Sequence, residues 1–143
     1  QVQAQARLNL LVSIMQTETV DGQPVIDNPQ FLDRLMRIQG RVMAMQYNDL
    51  RVLSGKLNPG QDTTLARMVV KLQGTELRHE LEALAIDAMG EGGLAYGGNP
   101  YLRDGGSWQY WYMFYLGLII GGGTSQIQKN IIAKRKLDLP KNF

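Results

Sequence analysis

Two stretches decide the fold: NPQFLDRLMRIQGRVMAMQYNDLRVL, residues 28–53, and DTTLARMVVKLQGTELRHELEALAIDAMG, residues 62–90. In the first, Phe31, Leu35, Ile38, Val42 and Met45 recur at intervals of three and four, the period of one helix face. Asn28 is a favourable N-cap, and Pro29 at the first helical position gives up only an N–H that has no helical partner there. Ser54-Gly55-Lys56-Leu57-Asn58-Pro59-Gly60 interrupts the pattern, so this helix is expected to run to about Leu53. In the second stretch the apolar stripe is Leu65, Met68, Val69, Leu72, Leu81, Leu84, Ala85 and Ala88. Asp62 or Thr63 caps its start, and Gly90 is a natural left-handed stop. Each helix would be roughly 38 Å long at 1.5 Å per residue. Two such rods joined by a short break must lie antiparallel.

Upstream, residues 1–18 read as a further amphipathic helix, with Val2, Ala6, Leu8, Leu11, Val12 and Met15 spaced mostly by three or four. Val20 to Asn28 reads as a loop carrying Asp21-Gly22 and Pro24. Downstream, residues 90–107 are a glycine-rich loop. Trp108 to Ile120 is aromatic and aliphatic throughout and is expected to be a buried helix or strand-like run. After Gly121-Gly122-Gly123 a last helix starts at Thr124, with Ile127, Ile131 and Ile132 on one face, until Pro140 stops it. No repeat and no β-pattern of useful length is present. The expected fold is an all-α, antiparallel, four-helix-type bundle over residues 1–143.

Composition narrows the chemistry. The chain has 143 residues, 44% apolar and 20% charged, which suits one globular domain with a core. It has no cysteine and one histidine, His79, which excludes disulfides, thiolate chemistry and multi-histidine metal sites within it. Fifteen basic residues against thirteen acidic ones leave +2, too mild a tilt to imply nucleic acid. The first residues do not form a signal peptide. The longest apolar run, Trp111 to Ile120, falls short of the roughly 20 residues that a membrane-spanning helix needs. A soluble, reduced, cytoplasmic setting is the expectation. The start on Gln, directly in a helical pattern, suggests a piece of a longer chain. His79 is expected to be solvated or partner-facing, and Met36, Met43 and Met45 to serve as adaptable core or interface.

The segment richest in chemistry is GGGTSQIQKNIIAKRKLDL, residues 121–139. Glycines let a ligand approach the backbone, and the helix start after them offers unpaired N–H groups and a positive dipole end. Thr124, Ser125 and Gln126 add side-chain donors there. A flexible turn followed by a capped helix would carry the same residues. Lys134, Arg135 and Lys136 suit either the negative end of that helix or a phosphate-bearing ligand.

The run Gly122-Gly123-Thr124-Ser125-Gln126-Ile127-Gln128-Lys129-Asn130-Ile131-Ile132-Ala133-Lys134, closing with Leu137-Asp138-Leu139-Pro140, resembles the C-terminal helix of the flavin-dependent acyl-CoA dehydrogenases. Their signature there is Glu-Gly-Thr-Ser-x-Ile-Gln. The resemblance extends over nearly all of the chain. It implies the all-helical C-terminal domain of that family, without the N-terminal helical and middle β-domains. It further implies FAD, an acyl-CoA thioester substrate, α,β-dehydrogenation in fatty-acid β-oxidation or related lipid metabolism, and a homo- or hetero-oligomer built as a dimer of dimers. Electron-transfer flavoprotein is the implied acceptor.

By this resemblance Gly123, Thr124, Ser125 and Gln126 contact FAD, and Gly122 and Lys134 face the substrate. Gly122 occupies the place of the usual Glu base, and glycine cannot take a proton. Some members carry the base near the start of the bundle's first helix, a stretch expected upstream of Gln1. The only acid in residues 1–18 is Glu18, at the far end. No catalytic base is therefore expected in this chain, and no metal. The family's Gln-x-x-Gly-Gly segment, which meets a flavin bound by a neighbouring subunit, maps onto Asp87, Gly90 and Glu91. Its Gln and second Gly are replaced by acids, which a pyrophosphate would repel by on the order of 1 kcal/mol. The resemblance thus leaves two forms of subunit open: a dehydrogenase, and a non-catalytic, cofactor-shaping member of a hetero-oligomer.

Overall fold

The structure is a computed structural model describing residues 2–58 and 60–140, with the Val2 side chain outside that set. The expectations for Gln1, the Val2 side chain and Pro59 lie outside the described residues. Helix α1 is Val2–Thr17, strands β1 and β2 are Thr19–Val20 and Gln23–Pro24, α2 is Pro29–Leu57, α3 is Thr64–Ala88, α4 is Ser107–Ile120 and α5 is Ser125–Lys136. The expected all-α bundle is present, and α3 lies at its centre, packed against α1, α2, α4 and α5. Among the described residues no helix is long and apolar enough to cross a membrane.

The core gathers Leu8, Leu11, Ile14 and Met15 of α1, Leu35, Ile38, Val42 and Met45 of α2, Leu77, Leu81, Leu84 and Ala88 of α3, and Trp108 of α4. Each large aliphatic side chain so buried contributes about 1.5–3 kcal/mol before entropy is set against it. Polar bonds fix the antiparallel register of α2 on α3. Arg34 pairs with Asp87 at 2.7 Å, Arg41 pairs with Glu80, and the Asn48 side chain donates to Ala66 O at 2.9 Å. The Asn28 carboxamide accepts from Gln30 N and Phe31 N, as its cap position requires. At α3 the expected capping is done by the Asp62 carboxylate, which accepts from Thr64 N at 2.8 Å, while Thr63 makes no side-chain cap. Gly90 stands at φ +55 just beyond α3, the left-handed stop expected of it.

The structure departs from the sequence expectations at several points. Helix α2 continues through Ser54 and Gly55 to Leu57. A Cβ on Gly55 would lie 2.1 Å from Thr63 Cγ2, so glycine here lets the next helix's entry tuck against α2 instead of ending it. The helix stops at Asn58, which takes an extended conformation, as residues before proline do. Residues 19–24 form a hairpin, pairing Thr19 with Pro24 and Val20 with Gln23. Asp21 and Gly22 at φ 52 and 77 make the turn that matches strand twist; strands this short carry no alternation to read.

Residues 108–120 are helical but not buried as a run. Trp108, Gln109 and Tyr115 are buried, whereas Tyr110, Met113, Phe114, Leu116, Leu118 and Ile120 are exposed. A helix that packs chiefly on α3 covers only one of its faces. His79 is half-buried: it stacks on Tyr112 with ring centroids 4.4 Å apart, at the α3–α4 contact. Of the methionines, Met45 is core, while Met36 and Met43 are exposed.

One polar cluster ties three helices together. Arg7 grips Glu82 through two bonds, one of them Nε to Oε1 at 3.0 Å, and donates to Ser107 Oγ at 3.2 Å. Its guanidinium carbon sits 3.5 Å from the Trp108 ring centroid, and the Trp108 indole N–H donates to Asp104 at 2.7 Å. Glu82 is 2% exposed, and burial pushes its carboxyl above the ordinary 4.5, with the Arg7 bonds opposing the rise. Arg7→Ala would strand this carboxylate. We expect a loss of about 3–5 kcal/mol at neutral pH in urea unfolding. A raised folded pKa means the burden is absent below the unfolded value and appears as pH rises through the folded one. The deficit against the wild type should therefore be smallest under acid conditions and grow towards neutrality.

Candidate functional site

The glycine segment is a bend held from below. Gly122 and Gly123 stand at φ 69 and 99, left-handed values that side-chain-bearing residues rarely adopt. Lys71, reaching across from α3, donates its Nζ to Gly123 O at 2.6 Å and to Ile119 O at 3.2 Å. Gln128 donates to Gly122 O at 2.8 Å. The bend is thus fixed through its carbonyls by one side chain from α3 and one from α5.

Thr124 then caps α5, its Oγ1 accepting from Ile127 N at 3.3 Å. The N–H groups of Ser125 and Gln126, in the first turn, have no carbonyl to meet inside the helix. With the dipole of twelve helical residues behind them, they favour an anion. The Ser125 hydroxyl is already committed, donating to Glu76 Oε1 at 2.6 Å. The Gln126 side chain is exposed.

At the other end of α5, Lys134 is exposed, whereas Lys136 turns back to Asp62 at 2.6 Å. The Lys136 bond, followed by those from Thr64, holds the Asp62 carboxyl well below the ordinary 3.8. The basic cluster is therefore divided between solvent and a tether to the start of α3.

Asp87 and Gly90 lie far from the glycine bend within one chain. Sixteen residues of continuous helix separate Lys71 from Asp87, about 24 Å. The structure does not bring these two sets together in one molecule. Asp87 is paired with Arg34 at 2.7 Å, so its charge is partly compensated. Glu18, at the far end of α1, is bonded to Arg103. Glu82 is eleven residues along α3 from Lys71, about 16 Å, and engaged by Arg7.

Two adjoining clefts open between α1, α3 and α4, the second bounded also by Met45 and Asp49 of α2. One, of about 240 Å³, is lined by Arg7, Arg78, Glu82, Trp111 and Tyr115. The other, of about 330 Å³, is lined by Lys71, Gly74, Leu77, Tyr115 and Leu118. They share Ala4, Arg78 and Tyr115, and Arg78 donates to the Tyr115 hydroxyl at 3.0 Å.

Sequence reasoning missed Lys71 and Glu76, the residues that hold the bend and the start of α5. The one available signal is a lysine inside the apolar run Met68-Val69-Val70-Lys71-Leu72. Lys71→Met keeps the stem and removes the ammonium, leaving the Ile119 and Gly123 carbonyls without their donor. It should cost about 1–3 kcal/mol. Amide exchange should accelerate at residues 121–125 and stay unchanged in the middle of α2.

Comparison with known proteins agrees with this architecture. The family model for the acyl-CoA dehydrogenase C-terminal domain matches residues 1–137. The chain is 34% identical over 119 residues to acyl-CoA dehydrogenase IpdE1 of Mycobacterium tuberculosis, a match covering 80% of this chain and 28% of that protein. It is 33% identical over 115 residues to IpdE1 of Mycolicibacterium smegmatis, covering 80% of this chain and 27% of that one. Among solved structures, the ChsE4-ChsE5 complex from Mycobacterium tuberculosis shares the fold with a TM-score of 0.80 at 23% identity, over 97% of this chain and 36% of that one. A protein described as the Tcur3481-Tcur3483 steroid ACAD does so with 0.78 at 16% identity, over 97% of this chain and 35% of that one. The chain thus spans about a quarter of the length of the named IpdE1 relatives. It belongs to the acyl-CoA dehydrogenase family, as a C-terminal domain.

Proposed function

We propose that the protein carrying this chain is a subunit of an FAD-dependent dehydrogenase that forms the α,β double bond of an acyl-CoA thioester. In this reading the bundle supplies cofactor contacts and an oligomer interface, and the catalytic base comes from outside residues 1–143. The observation that carries it is the Gly122-Gly123-Thr124 bend, fixed on Lys71 at the N-terminus of α5.

The donor set suits a pyrophosphate. Two left-handed glycines leave the backbone uncovered, and the first-turn N–H groups lie at the positive end of the helix. The N–H groups of Ser125 and Gln126, with the Thr124 hydroxyl and the Gln126 amide, would hold the phosphates and ribose. Bonds of this charge-assisted kind are worth roughly 1.5–3 kcal/mol each. Ser125 would act through its backbone, since its hydroxyl serves Glu76.

Asp87 and Gly90 would meet the flavin nucleotide of a neighbouring subunit, which the separation along α3 supports. The Arg34 partner lowers the repulsion that Asp87 would otherwise exert there. Lys134, free of Asp62, would face the CoA phosphates. The linked clefts from Lys71 to Arg7 leave room for a bulky acyl group, in keeping with a solved protein of this fold being described as a steroid ACAD. The chemistry that FAD would supply here is acceptance of a hydride from the β-carbon, with electron-transfer flavoprotein as the onward acceptor.

The second reading, a non-catalytic and cofactor-shaping subunit of a hetero-oligomer, is favoured by Gly122 at the base position. The ChsE4-ChsE5 match is itself a complex of two different chains.

Two measurements on the full protein test these readings. Gln126→Ala removes a side chain that makes no hydrogen bond within the described residues, and should weaken FAD retention about tenfold or more. Unchanged flavin content after dialysis would remove the assignment. Thr124→Ala should add the loss of a cap, about 1 kcal/mol of helix stability. For the two subunit types, Gly122→Glu is decisive in kinetics against pH. Where a base already serves the α-carbon, a second carboxylate should slow turnover and shift the pH optimum through like-charge coupling. A gain from zero activity would select the second reading.

A further inference from the structure

Arg78 stands where the two clefts meet, and its charge has no partner of its own. The first cleft is lined by three ionisable groups, Arg7, Arg78 and Glu82. Arg7 takes both oxygens of Glu82 and donates its other terminal nitrogen to Ser107. Arg78 lies one turn before Glu82 on α3 and its charge acts on that carboxyl, but it makes no ion pair among the described residues. One carboxylate thus answers two guanidiniums, and the first cleft carries a net positive charge. In the second cleft Lys71 and Asp49 balance.

The uncommitted polar groups at this junction are donors. Among the described residues the one hydrogen bond of Arg78 runs from Nη1 to the Tyr115 hydroxyl, at 3.0 Å. A guanidinium has five N–H donors, so most remain for a ligand. The Tyr115 hydroxyl accepts from Arg78 and keeps its own proton to donate. Around them the walls are largely apolar, with Leu81 and Trp111 in the first cleft and Leu77 and Leu118 in the second. A half-buried guanidinium beside a hydroxyl donor, in such a cleft, takes an acceptor oxygen. With its charge unmatched, it favours an anionic acceptor over a ketone or an alcohol. Its planar fork fits a carboxylate.

The place of this pair sets the reach. Lys71, which holds the glycine bend, is seven residues before Arg78 on α3, about 10 Å away. Gly74 lies between them and adds no side chain to the passage.

We propose that Arg78 and Tyr115 bind a carboxylate at the far end of the acyl group, so that the substrate is the CoA monothioester of a dicarboxylic acid. This rests on the acyl-CoA reading, which puts the thioester at the glycine bend, and adds to it what the acyl group must carry.

The full protein is titrated calorimetrically with decanedioyl-CoA and with decanoyl-CoA. The first, when extended, carries its free carboxylate at about this reach. The CoA portion is common to both, so contacts to its phosphates cancel. The diacid thioester should bind at least about tenfold more tightly. Arg78→Gln should weaken it at least about tenfold and leave decanoyl-CoA within about twofold, whereas loosening of the α3–α4 contact alone would weaken both alike. Arg78→Lys keeps the charge and should keep the diacid ahead. Equal or weaker binding of the diacid to the unaltered protein, or a preference that survives Arg78→Gln, would overturn the proposal and leave the acyl-CoA reading standing. A carboxylate side chain from elsewhere in the protein, seated on Arg78, would give that first result. Binding of neither thioester would overturn the acyl-CoA reading and this proposal together. The comparison on the unaltered protein holds even if a variant folds poorly.

Discussion

Helix α3 has one circumference and four neighbours, and most of the structure follows from how its 25 residues divide that circumference. Leu77, Leu81, Leu84 and Ala88 go to the common core. The polar residues between them are distributed by direction. Lys71 and Glu76 reach the glycine bend and the start of α5. Arg78 and His79 meet Tyr115 and Tyr112 of α4. Glu80 and Asp87 meet arginines of α2, and Glu82 meets Arg7 of α1. A helix used this way cannot be cleanly amphipathic. Each polar side chain must find its partner on one particular neighbour, so α3 specifies where the others lie as well as burying them.

The Arg7–Glu82 pair shows this most sharply. Burying two charges gains little net stability over an apolar pair of the same volume. Leaving either alone is costly, however, so a misregistered α1 is penalised more heavily than its lost apolar contacts would explain. The same guanidinium touches Ser107 and covers Trp108, which brings the start of α4 under the same constraint. The apolar core supplies most of the energy of folding, and this cluster narrows the arrangements that can collect it.

The long helices were legible because their information is local. Asn28-Pro29, the Leu35-Ile38-Val42-Met45 stripe and Gly90 each act within a few residues of themselves. The glycine bend and Thr124 cap were legible for the same reason. Lys71, Glu76 and Glu82 were not, because their partners lie about 50 to 75 residues away, and a lone charged residue on a helix gives no sign of what it will meet. The exposure of α4 was misread for a related cause. Hydrophobicity reports that a segment avoids water, and Tyr110, Met113 and Phe114 do not say whether their cover comes from this chain or another surface. The end of α2 was misplaced because Gly55 makes room for Thr63, a relation invisible without the next helix.

That face of α4 ties the folded domain to its surroundings during synthesis. A finished bundle that still displays Tyr110, Met113, Phe114 and Ile120 presents the apolar signature by which cells recognise unfinished chains. Folding alone does not remove it; only covering the helix does. A domain in that form would stay open to chaperone capture and proteolysis for as long as this face is uncovered, although every helix in it is correctly made.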